Sequence, residues 1–166
     1  MRLVLLVDSL DCVPILLLFC HAHLAIDSQN SIVIISSTVI HDTSSNITPS
    51  NNNGYSPFTS LDSALLKTTL KSSSLAASLA LALAYCAKKP SESRFIVISS
   101  TRDNPAQYMH CMNAMFAAQR NNVVIDALRL AKTPSVHLMQ IANATQGIYL
   151  PVEHENLLQT LLVTFS

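Results

Sequence analysis

Residues 94–150 read RFIVISSTRDNPAQYMHCMNAMFAAQRNNVVIDALRLAKTPSVHLMQIANATQGIYL, with a turn signal at every junction. Residues 95–99 are a short, β-branched apolar run, and Asn104-Pro105 breaks it. Residues 106–119 follow as a helix, with Tyr108, Met109, Met112, Met115 and Phe116 spaced three and four apart on one face. Asn121-Asn122 closes that helix, and residues 123–127 form the next buried strand. Residues 136–145 give a second helix, and Gly147 precedes the apolar triplet Ile148, Tyr149 and Leu150. Strands that alternate with helices in this way predict a mainly parallel sheet covered by helices on both faces.

The same reading extends outward. Residues 3–7 form a first strand that ends at Asp8, Pro14 is placed to open a helix over 15–25, and residues 31–36 form a second strand. Residues 41–60, rich in Ser, Thr and Asn with Pro49, Gly54 and Pro57, read as a flexible loop. Residues 61–70 predict a short amphipathic helix, 75–87 a long alanine-leucine helix, and 157–165 a final helix docked on the sheet. The chain has the size of one domain, residues 1–166.

Charged residues are only 12% of the chain and apolar residues 49%, with ten basic residues balancing ten acidic ones. No basic patch advertises nucleic acid, and a surface so poor in charge suits a permanent protein assembly. The opening MRLVLLVDSLDCVPILLLFCHAHL resembles a secretory signal, but Asp8 and Asp11 interrupt the apolar run and forbid a membrane span of about 20 residues. Cys12, Cys20, Cys86 and Cys111 lie far apart in apolar surroundings, the pattern of free core thiols in a reducing compartment. In that setting the acceptor patterns at Asn46 and Asn143 carry no glycan.

The blocks RFIVIS, QYMHCMNAMFAAQRNNVVIDALRL and LMQIANATQGIYL resemble the smaller von Willebrand factor A-like subunit of general transcription factor IIH. The likeness runs from LVLLVDS to LLQTLLVTF, with a gap at about 41–59. It implies a von Willebrand factor A-like (Rossmann-like) α/β fold and a non-catalytic scaffold role in transcription initiation and nucleotide excision repair. It also implies a nuclear location and a partner, the larger von Willebrand A-like subunit with its RING-like region. The resemblance also implies a zinc module after this domain; the sequence reads as the amino-terminal domain alone, so no cofactor is expected here. The connection between the first two strands is also shorter than the resemblance implies.

Many von Willebrand A domains bind a divalent cation through an Asp-x-Ser-x-Ser run at the strand ends. Here the run is Asp8-Ser9-Leu10-Asp11-Cys12, and Leu10 and Cys12 cannot supply the hydroxyl ligands. Serines 72–74 and Asp103 could stand in for the other loops, but Asp103 falls late. Asp8 therefore reads as a turn or cap residue. Cys20 and His23 share a helix face but lack two further zinc ligands, so exposed imidazoles at a helix end are expected. Cys111 sits mid-helix, where nothing activates a thiol, and the two glycines, Gly54 and Gly147, make no phosphate loop. The chain does not read as an enzyme. The two rivals are a metal-dependent ligand-binding A domain and a small hydrolase using Asp8 and Cys111.

The helix SLAASLALALAYCAKK stands out instead. Leu75, Leu79, Ala82 and Cys86 form the face predicted to lie on the sheet. The opposite side carries Ser74, Ala77, Leu81, Ala84, Tyr85 and Lys88, the candidate partner-binding residues, with no charge before Lys88. The methionines of the 106–119 helix read as core filler rather than as a binding stripe.

Overall fold

Alternate side chains of a strand point to opposite faces, so an unbroken apolar strand needs cover on both. β1 (Arg2–Val7) sends Leu3, Leu5 and Val7 to one side and Val4 and Leu6 to the other, and all five are buried. The computed structural model describes residues 2–8, 13–26, 31–36, 39–42, 74–87 and 93–165. After β1 come α1 (Val13–Ile26), β2 (Ser31–Ser36), β3 (Val39–Asp42), α2 (Leu75–Ala87) and β4 (Ser93–Ser99). α3 (Tyr108–Arg120), β5 (Val124–Arg129), α4 (Val136–Ala144), β6 (Tyr149–Pro151) and α5 (Leu157–Phe165) complete the described chain. The sheet order is β3-β2-β1-β4-β5-β6. β3 is antiparallel to β2, and every other neighbouring pair is parallel.

The two faces carry separate cores. Leu16, Phe19 and Cys20 of α1 join Leu157 and Leu161 of α5 over Leu3, Leu5, Ile32, Ile34, Ile96 and Leu128. On the other face α2, α3 and α4 cover Val4, Leu6, Val33, Phe95, Val97, Ile125 and Ala127.

Local signals set the helix ends. Asn104 Oδ1 accepts from the Ala106 amide at 3.0 Å, and Pro105–Gln107 forms a 3-10 turn before α3 proper. The helix expected from 106 thus begins with this tighter turn. α3 and α4 both end with a residue in the left-handed region, Asn122 at φ 53° and Gln146 at φ 59°. In each case the next amide reaches back to the carbonyl five residues earlier, Val123 to Ala118 at 3.0 Å and Gly147 to Ala142 at 2.8 Å. That satisfies carbonyls the helix would otherwise leave open.

Several expectations need correction. Residues 41–42 are not loop but the end of β3, whose partners Ser36↔Val39 and Ile35↔Ile40 make an edge ribbon. A four-residue edge strand with a polar end offers no alternation to read. The remainder of the loop, 43–60, and the 61–70 helix lie outside the described residues. The buried side of α3 is Cys111, Met112, Ala114, Met115 and Ala118, while Met109 and Phe116 are 64% and 60% exposed. Ala114 and Ala118 join Met112 and Met115 inward, and Phe116 turns out, because α3 packs between α2 and α4 and close helix approach favours short side chains. Leu75, expected on the sheet, is only half-buried, and the inward side of α2 is Ala76, Leu79, Ala82, Leu83 and Cys86.

Candidate docking face and the carboxyl edge of the sheet

Strand order reverses between β1 and β4, and open α/β sheets place ligands in the crevice at such a point. Asp8 stands there, at the end of β1. Its carboxylate holds the segment that follows β4, and the residues 9–12 that a turn or cap would involve lie outside the described residues. Its Oδ2 accepts from Ser99 Oγ at 2.5 Å and Thr101 Oγ1 at 2.7 Å, and its Oδ1 accepts from the Ser100 amide at 2.9 Å. Arg129, at the end of β5 and 1% exposed, closes the other side. Its Nη1 donates to Ser99 Oγ at 3.3 Å and to the Thr101 carbonyl, and its Nε donates to the Thr133 carbonyl at 3.0 Å.

Asp103 has left the strand ends for another task. It accepts from Ser135 Oγ at 2.5 Å and from the amides of Val136 at 2.8 Å and His137 at 3.3 Å, at the amino end of α4. Ser135 itself caps that helix, accepting from the Leu138 amide at 3.2 Å. Burial acts to raise the Asp103 pKa, but the Ser135 hydroxyl, the His137 amide and charge, and the Val136 amide outweigh it and hold the carboxyl below its ordinary value. The oxygens of both acids are thus met by protein donors. Among the described residues, these donors compete for the carboxylate oxygens that a divalent cation would need, and the buried Arg129 charge bonded to the same Ser99 hydroxyl opposes a second cation there. Of the serines at 72–74, only Ser74 lies among the described residues.

A polar cleft of about 210 Å³ beside this edge reaches Cys111, Asp103 and His137. Cys111 is 1% exposed, and burial, helped by the Asp103 charge, pushes its thiol up to about 11. A nucleophilic cysteine needs the opposite shift. Cys111 is expected to resist iodoacetamide in the native protein at pH 7.5, followed by mass spectrometry. Labelling faster than a free thiol would revive the hydrolase reading.

Cys20 and His23 are both buried, at 0% and 3% exposure, and His23 stacks on Phe19 at 5.8 Å. The expectation of exposed imidazoles is therefore wrong for His23, which packs as a core ring. Burial pushes the Cys20 thiol up to about 12 and lowers the His23 pKa. No group of three metal-ligating side chains occurs among the described residues.

The outer side of α2 is a row of exposed alanines, Ala77, Ala80, Ala84 and Ala87, spaced three, four and three. A shallow groove of about 530 Å³ lies between this helix and α3, edged by Ser74, Ala77, Ala80, His110, Asn113 and Ala117. Of the candidate partner-binding residues, Ala77 and Ala84 face outward. Ser74 caps α2, its Oγ accepting from the Ala77 amide at 3.3 Å and its carbonyl from the Ser78 amide at 3.0 Å. Leu81 and Tyr85, expected on the outward side, are half-buried against the core, and the Arg2 guanidinium lies 5.9 Å from the Tyr85 ring centroid. Lys88 lies outside the described residues. The exposed pair Met109 and Phe116 lies seven apart on α3; the sequence reads Met109 as core and places Phe116 on the same face. Their large apolar side chains gave no sign of which way they face.

A mainly parallel sheet of this order, with helices on both faces, is a von Willebrand factor A-like domain. Its fold matches the von Willebrand factor type A protein from Catenulispora acidiphila, with a TM-score of 0.62 and 14% identity over 95% of this chain and 40% of that one. It matches the TFIIH p34 N-terminal domain with a TM-score of 0.75 and 24% identity, over 99% of this chain and 96% of that one. The transcription factor Tfb4 family matches residues 51–166, and the chain belongs to that family. It is 42% identical over 74 residues to the general transcription and DNA repair factor IIH subunit TFB4 of Debaryomyces hansenii, covering 44% of this chain and 19% of that protein. It is 35% identical over 105 residues to the general transcription factor IIH subunit 3 of Dictyostelium discoideum, covering 60% of this chain and 28% of that protein. The matched stretches thus span only 19% and 28% of the length of these relatives.

Proposed function

We propose that this domain is a non-catalytic docking module of a transcription factor IIH core, acting in the nucleus in transcription initiation and nucleotide excision repair. Its membership of the Tfb4 family and the names of its relatives support the assembly. The observation that carries the mechanism is the exposed alanine row of α2 beside the α2–α3 groove: short side chains on a rigid helix let a partner backbone approach closely. Among the described residues no helix is long and apolar enough to cross a membrane, in keeping with a role within a protein assembly. The partner proposed is the larger von Willebrand A-like, RING-bearing subunit. The domain needs no cofactor of its own, binds no nucleic acid by sequence, and leaves zinc to the module that follows in the family.

Ala77→Glu and Ala84→Glu test this. An exposed helix position accepts glutamate at a cost of only a few tenths of a kcal/mol. At an interface the carboxylate would be buried without a counter-charge, costing about 3 kcal/mol or more. Both variants are expected to melt as the parent does and to lose the larger subunit in co-purification. Leu81→Glu is unsuitable, because Leu81 packs on the core. Normal folding with undiminished co-purification of both variants would place the docking face elsewhere.

A further inference from the structure

We infer that Arg129 is the built-in cation of the carboxyl edge, a guanidinium that, with Asp8, locks the crevice where metal-binding members of this fold hold a divalent ion. The fold puts Asp8 at the crevice, as a metal site would require, yet among the described residues both of its carboxylate oxygens accept hydrogen bonds from the segment 99–101. Ser99 Oγ gives its proton to Asp8 and takes one from Arg129 Nη1. Thr101 repeats the arrangement with two atoms, its Oγ1 donating to Asp8 and its carbonyl accepting from Arg129. Two residues of one segment therefore link a carboxylate on β1 to a guanidinium on β5, across β4.

The latch is continuous with the sheet. The Asp8 amide donates to the Ile98 carbonyl at 3.2 Å, the Leu130 amide to the Ser99 carbonyl at 3.0 Å, and the Val152 amide to the Arg129 carbonyl at 2.8 Å. Arg129 is the largest fully buried side chain among the described residues, so its charge must be met inside the protein. A bound metal can leave such a crevice, whereas a side chain cannot, and the edge is fixed in one state. This locks the strand ends as a rigid part of the scaffold and denies them to a cation-bridged acidic ligand.

The test is amide exchange at Ser100 and Leu130, with thermal melting, for the parent, Asp8→Asn, Arg129→Met and the double variant. Each single change is expected to cut protection at both amides by about tenfold or more and to lower Tm by roughly 5–10 °C. The double variant is expected to lose clearly less than the sum, because the two groups act through shared hydroxyls. Additive losses would overturn the latch. If Arg129→Met does not fold, Thr101→Val and Ser99→Ala break the intermediaries singly, and unchanged protection in both would likewise overturn it. For the parent, magnesium or manganese at millimolar concentration is expected to leave Tm and exchange unchanged. A saturable stabilisation would show that the crevice still takes a metal, against the proposal.

Discussion

Gly147→Ala is expected to cost at least about 3 kcal/mol of stability and to lower Tm by roughly 10 °C. A β-carbon at this position would lie 2.0 Å from the Ile125 carbonyl oxygen and 2.6 Å from the Ile125 carbonyl carbon. Both are backbone atoms of β5, inside the parallel ladder with β4, and neither can rotate aside. Relief would require β5 to move away from the end of α4. That would strain the bond from the Ile125 amide to Thr145 Oγ1 at 3.2 Å and the bond from the Ile148 amide to Asp126 Oδ1 at 2.9 Å. Gln146, one residue earlier, supplies a contrast. It holds the left-handed conformation that glycine adopts without cost, so Gln146→Gly is expected to be neutral or stabilising by up to about 1 kcal/mol. Urea unfolding of both variants checks the pair. A Gly147→Ala protein within 1 kcal/mol of the parent would show that β5 yields more easily than the ladder suggests.

Arg94→Ala comes second, at about 3 kcal/mol. Asp126 is fully buried, in the middle of β5, and the Arg94 Nε lies 2.5 Å from its Oδ2. Taking away the cation leaves a buried carboxylate that, among the described residues, accepts from the Ile148 amide, a change that costs about 3–5 kcal/mol in such pairs. The Arg94 side chain is 32% exposed, and water can reach that side of the pair, which sets the expectation at the lower end. The double variant Arg94→Met, Asp126→Asn removes the orphan charge and keeps an oxygen for the Ile148 amide. It is therefore expected to be more stable than Arg94→Ala. Chemical denaturation of the three proteins decides the matter: a double variant no better than the single would mean that packing, not the unpaired charge, accounts for the loss.

The scaffold was legible from local pattern because each local signal agreed with the global fold. β2, α2 and α5 fall where periodicity and composition put them, and Asn121-Asn122 and Gly147 mark the ends of α3 and α4. These features depend on a few neighbouring residues: apolar period, β-branching, and the backbone freedom of asparagine and glycine. The exceptions were elements whose identity depends on a distant partner. β3 is a strand only because β2 offers its edge, and α3 turns Ala114 and Ala118 inward, and Phe116 outward, because α2 and α4 flank it.

The sequence by itself determined the fold class, by its alternation of strands and helices, and the lack of hydroxyl ligands at Leu10 and Cys12, by residue identity, while the family came from the likeness of whole blocks. It could not show where the buried charges go. Asp126 within VVIDAL and Arg129 within ALRL are single polar residues in apolar runs, and nothing nearby in the chain names a partner. Only the tertiary structure decided that Asp126 pairs with Arg94 on the neighbouring strand, and that Asp8 and Arg129 meet through Ser99 and Thr101. It also decided that Asp103 caps α4. The physical reason is common to all of them. A buried polar group must find its partner in space, and the sheet brings together residues that lie 30 to 90 positions apart in the chain.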